Sequence, residues 1–99
     1  MRRAVRNLPT AREELVAAIS WYEEQQSGLG GELYDSIAEA IALVEAQPHV
    51  GLLDPTTRTR RVLVPRFPYQ VVYYLTDDEI VIVAFAHSKR RPAYWHDRT

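Results

Sequence analysis

The residues with the most chemistry in this chain sit close together near its end. His87 closes an apolar run and is followed at once by Lys89, Arg90, Arg91, Tyr94, Trp95 and His96. Cations at that spacing can hold an anion, and aromatic rings beside them can stack on bases or fill a partner's pocket. An imidazole titrating near neutrality adds a group able to take or give a proton. Arg60 and Arg61, further back, lie in a strand-like run, where alternation lets only one of the two face any given site. The bland alternatives are equally concrete. His87 can be the first wet residue past a strand, the arginines can be solvated or paired with an acidic partner, and Tyr94 and Trp95 can be cover for an apolar sheet face.

Other chemistries are poorly provided for. With no cysteine, the chain has no disulfide, thiol nucleophile or Cys-ligated zinc, which suits a reducing compartment. His49, His87 and His96 show no metal-ligand spacing, so neither a metal nor any other cofactor is expected. The longest apolar run, residues 80–86, is far too short to span a membrane, and Arg2 and Arg3 are not followed by a signal-peptide core. A cytoplasmic protein with no membrane partner is expected.

The elements that must position the tail can be read from pattern. Ninety-nine residues, 46% apolar and 25% charged, suit one domain over residues 1–99. Residues 1–54 hold four arginines against nine acids, a balance of −5, and residues 55–99 hold seven arginines and one lysine against four acids, +4, which together give the net −1. The basic half is therefore the one fitted to phosphates or an acidic partner. Overall neutrality argues against coating nucleic acid by charge alone.

Residues 3–8 suit a short strand. Thr10-Ala11-Arg12-Glu13 reads as a capping box opening a helix, with Leu15, Ala18, Ile19 and Tyr22 on its buried face and Glu13, Glu14, Glu23 and Glu24 largely elsewhere. A turn at Gly28-Leu29-Gly30-Gly31 folds a second helix back on the first, its stripe formed by Leu33, Ile37, Ala40, Ile41 and Val44, until Pro48 ends it. Residues 48–57 read as a loop. Three strands come next, near residues 60–64, 69–75 and 79–87, the last two joined as an antiparallel hairpin. In the last strand Ile80, Ile82, Ala84 and Ala86 should share one face and Val81, Val83 and Phe85 the other. Both faces then want cover, the second from the tail or from a partner chain. The order β-α-α-β-β-β predicts an α+β domain, a helical hairpin packed on a small antiparallel sheet.

WYEEQQSGLGGEL after the first helix, RRVLVPRFPYQVVYYL and IVIVAFAHSKRRPAYWHDR, in that order and spacing, closely resemble the RelE/ParE superfamily of bacterial toxins, the toxin halves of type II toxin–antitoxin pairs. The resemblance runs from Ala11 to Arg98 and implies the same β-α-α-β-β-β fold. It also implies a cognate antitoxin as partner, in a toxin–antitoxin hetero-oligomer or beside a toxin homodimer. Two activities occur in the superfamily. RelE-like members cut mRNA on the ribosome, and ParE-like members poison DNA gyrase.

For the nuclease, the resemblance implies Arg90 or Arg91 and Tyr94 after the last strand, with His87 in place of a lost base; on chemical grounds Arg61 and Arg90 can brace the phosphate and Tyr94 can stack or donate a proton. RNA cleavage needs a base for the 2′-hydroxyl, an acid for the leaving oxygen and cations for the phosphate. The family's lysine pair is absent here, since Lys89 is the sole lysine, and Gln70 stands where a central-strand arginine is expected. For the gyrase poison, no acid or base is needed, and Lys89, Arg90, Arg91, Tyr94 and Trp95 are the implied contact residues. The incomplete catalytic set and the WYE…GLG hairpin with FPY behind it lean to the ParE side, with a non-toxic binding module on the same fold as a third alternative.

Overall fold

A proline sets where the first helix begins. The computed structural model describes residues 3–89 and 94–98. In it, β1 (Ala4–Asn7) runs into α1 (Pro9–Gln25), with Leu8 extended and Pro9 opening the helix. Proline supplies a helical φ where no N–H is needed and forces the preceding residue out of the helix. Thr10 therefore sits inside the first turn and cannot be the N-cap. The expected capping box does not form, and Leu8 makes no side-chain cap bond.

The hairpin turn is also shorter than expected. Gly28, at φ 91°, makes the reversal, and α2 (Leu29–Ala46) already includes Gly30 and Gly31. Gly30 is buried against α1, where an added Cβ would stand 2.6 Å from the Ile19 carbonyl oxygen. The Glu23 carboxylate accepts the N–H groups of Gly28 and Gly30 at 2.9 and 3.0 Å. An acid of one helix thus caps the positive end of the next.

The remaining strands are β2 (Leu52–Leu53), β3 (Arg60–Leu63), β4 (Tyr69–Leu75) and β5 (Glu79–His87), and His96–Arg98 forms a 3₁₀ turn. Strand β2 lies within the stretch expected to be loop, too short to show a period of two. The sheet order is β1-β5-β4-β3-β2, with β1 parallel to β5 and every other pair antiparallel. The chain is an α+β fold with the helical hairpin on one face. No helix among the described residues is long and apolar enough to cross a membrane.

A β-bulge changes what each face carries. Val72 pairs with Ala84 but Tyr73 pairs with Ile82, which leaves Val83 as the extra residue. Beyond it the alternation is inverted. Ile80, Ile82 and Phe85 join Val71, Tyr73 and the helices in one core, and Val83, Ala84 and Ala86 join Val72 in a second cluster on the other face. The expected Ile80/Ile82/Ala84/Ala86 and Val81/Val83/Phe85 sets are thereby corrected. The indole of Trp95 covers the second cluster and is only 7% exposed. Two alanines beneath it leave room for that ring.

Candidate functional site at the end of β5

β1 pairs with β5 only as far as Ile82, where the Leu8 N–H bonds the Ile82 carbonyl. Past that point the outer edge of β5 needs other partners, because unpaired strand groups near the core cost free energy. Glu14 and Arg98 supply them. Glu14 Oε1 accepts the Phe85 N–H at 3.2 Å, and Arg98 Nη1 donates to the Val83 carbonyl at 3.1 Å. The two side chains also pair with each other, Nη1 to Oε1 at 2.9 Å and Nη2 to Oε2 at 3.3 Å. Tyr94 donates its hydroxyl to Glu14 Oε2 at 2.5 Å, and the Arg98 guanidinium lies 5.1 Å from the Tyr94 ring centroid. The hydrogen bonds to the Glu14 carboxylate raise the Arg98 pKa above its ordinary value. On the other flank, His96 Nε2 lies 3.5 Å from Asp54 Oδ2, just after β2. Residues 94–98 are thus strapped across the back of the sheet with Trp95 underneath.

Among the residues expected to form a site, His87 is half-buried at the strand end, on the helix side. It stands edge-on to Tyr69 at 5.0 Å between centroids. Its Nδ1 accepts the Lys89 N–H at 3.0 Å, which leaves the proton of the neutral ring on Nε2. It borders a shallow pocket of about 260 Å³ with Trp21, Tyr69, Phe85 and Ala17. Burial raises the Tyr69 phenol pKa, so that hydroxyl remains protonated at neutral pH.

Arg61 pairs with Val72 in register and so belongs to the back face, with the Trp95 cluster. His87 and Arg61 are therefore on opposite sides of the sheet. Tyr94 is half-buried with its hydroxyl given to Glu14. Trp95, read either as an interface anchor or as core cover, is core cover. Its indole N–H is buried without a hydrogen-bond partner among the described residues. Lys89 is exposed. Arg90 and Arg91 lie outside the described residues. Among those described, no cluster of three His, Cys, Asp or Glu side chains could hold a metal.

Glu14, expected to lie largely away from the buried face, is the residue that pattern reading missed. A signal was present, because Glu14 shares the i, i+3, i+7 stripe of Ala11 and Ala18, both buried. An acid on an apolar stripe calls for a buried partner. Only the fold shows that the partner is Arg98.

Comparison with known proteins identifies the kind of molecule. The family model described as ParE toxin of type II toxin-antitoxin system, parDE, matches residues 5–92. A solved structure described as the chromosomal ParDE TA system from P. aeruginosa superposes with a TM-score of 0.74 at 16% sequence identity, covering 89% of this chain and 98% of that one. That likeness shows the fold. No curated protein matches in sequence.

Proposed function

This chain belongs to the ParE family of type II toxin–antitoxin toxins, and from that premise we propose that it poisons DNA gyrase by binding, in the cytoplasm, and is neutralised by a cognate antitoxin. The observation that carries the choice over RNA cleavage is the dispersal of the groups a nuclease would need. His87 lies on the helix side and Arg61 on the back face, and the Tyr94 hydroxyl is committed to Glu14. General acid–base catalysis requires such groups within hydrogen-bond reach of one phosphate.

A binding poison needs only a contact surface. In this reading the surface is the end of β5 together with residues 88–94, with Lys89, Arg90 and Arg91 as charges and the Tyr94 ring as an aromatic contact. Trp95 itself packs on the back cluster of the sheet and anchors the residue next to Tyr94. The second apolar face of β5, which an antitoxin segment could have covered, is already closed by Trp95. Exposed apolar groups that an antitoxin could cover include Val16, Trp21 and Tyr34 on the helices and Leu52, Leu53 and Leu63 near the β2 edge, the last 75% exposed.

Supercoiling by purified gyrase is the deciding assay. Inhibition at micromolar toxin, relieved by antitoxin, with ribosome-bound mRNA intact and His87→Ala nearly silent, is the expected result. Growth arrest accompanied by mRNA cleavage and abolished by His87→Ala would overturn it. So would folded, antitoxin-free protein that leaves gyrase untouched.

A further inference from the structure

A second cleft lies away from the strand end. It has a volume of about 750 Å³ and is lined by Arg3, Arg58, Arg60, Arg98 and Tyr74, with Asp77 as the one acid on its wall among the described residues. Three of those arginines are not neutralised by any described residue. Arg3 Nε donates to the Thr76 carbonyl, and Arg60 Nη1 to the carbonyls of His49 and Gly51. Both bonds orient a guanidinium and leave its charge intact. No described residue pairs with the Arg58 side chain.

Arg58 is held in place by its loop. Its φ is 64°, in the left-handed region that disfavours a non-glycine residue. Asp54 N–H to the Thr59 carbonyl and Arg58 N–H to the Asp54 carbonyl, both 2.8 Å, close that loop. The Thr56 N–H to Asp54 Oδ1 bond at 2.9 Å and the 2.7 Å contact between the Thr57 and Thr59 hydroxyls brace it. The Arg58 backbone is thus fixed at the wall of the cleft, and its guanidinium, which no described residue neutralises, is available to an anion there.

We infer that this cleft is a phosphate-binding groove that takes the backbone of duplex DNA, with Arg3, Arg58 and Arg60 as its contacts. The inference rests on the gyrase reading only for the choice of duplex DNA among polyanions. Such contacts position a protein on DNA without reading sequence. They fit a toxin whose target is a DNA-bound enzyme. With the chain's net charge at −1, binding must come from a local basic patch and not from overall charge, and will be weak and steeply salt-dependent.

The test is fluorescence anisotropy of the purified chain on a mixed-sequence duplex of about 20 base pairs, at about 20–200 mM salt, without gyrase. Three neutralised phosphates predict a slope of log K against log salt near −3, with a Kd of roughly 1–100 µM at the low end. Arg58→Gln should lower the slope by about 1 for every sequence tried, with no change in Tm, and Asp77→Asn should tighten binding. Rejection would come from an unchanged slope in Arg58→Gln, from no binding at low salt, or from an acidic peptide binding the groove where DNA does not. Wild type that binds DNA but leaves gyrase active would sink the gyrase reading and keep this one. The converse result would sink this one alone.

Discussion

Glu14→Ala should be the most damaging single change on the surface of α1. In the wild type, that carboxylate receives hydrogen bonds from the Phe85 N–H, the Tyr94 hydroxyl and both terminal nitrogens of Arg98. The ion pair is largely shielded, with side-chain exposures of 19% for Arg98 and 16% for Glu14. Truncation leaves the guanidinium bonded to the Val83 carbonyl but without its counter-ion, and it uncovers a strand-edge N–H. Removing one member of a fully buried pair costs about 3–5 kcal/mol. Partial solvation and relaxation of the tail reduce that to about 2–4 kcal/mol. For a domain of this length, that lowers Tm by roughly 10–25 °C.

A double-mutant cycle with Arg98→Met, read by urea denaturation, should return a coupling energy of about 1.5–3 kcal/mol. Glu24→Ala, an exposed acid on the same helix, is the control and should change stability by less than about 0.5 kcal/mol. If Glu14→Ala behaves like Glu24→Ala, or the cycle shows no coupling, the strap is not what holds the tail.

Gly30→Ala should cost about 1–3 kcal/mol in thermal melts, because the new methyl meets the backbone of Ile19 and the helices must part. Tyr73→Phe should cost about 1–3 kcal/mol in the same melts, since the Pro48 carbonyl and the Gly51 N–H both lose the phenol, at 2.7 and 3.0 Å. Trp95→Ala should cost about 3–5 kcal/mol in urea denaturation by uncovering the back cluster, so loss of toxicity in such a variant must be read beside its fold. The Asp54 carboxyl is held below its ordinary value of 3.8, chiefly by the Thr56 N–H. Its stabilising contribution is complete above the ordinary value and is lost as pH falls through the lowered one. Stability of Asp54→Asn should accordingly fall less than wild type on acidification below pH 3.8, in melts across that range.

Where local pattern governs, the sequence was a good guide. The strands Tyr69–Leu75 and Glu79–His87 carry dense β-branched and aromatic residues and were legible to the residue, and the helical hairpin was legible in outline but not in its helix starts. Thr10-Ala11-Arg12-Glu13 misled because Pro9 outcompetes a threonine cap for the start of the helix. The face assignment in β5 failed beyond Ile82 because a bulge is set by the partner strand and leaves no mark in a run that is apolar on both sides. Two readings of Trp95 stayed open for the same reason, and the small residues Ala84 and Ala86 decide for burial. The Glu14–Arg98 pair joins residues 84 positions apart, beyond any local periodicity.

That separation bears on when the toxin can exist. The first strand pairs with the last, and Arg3 reaches Thr76 across 73 positions, so β1 has no neighbour until the end of the chain is made. Contacts this distant in sequence are slow to close. Neither the β1–β5 edge nor the strap of Glu14 and Arg98 can form before β5 and residues 94–98 are in place. The sheet is therefore completed late in folding, and the element that completes it, β5 under its strap, is the same one whose end carries the candidate contact surface.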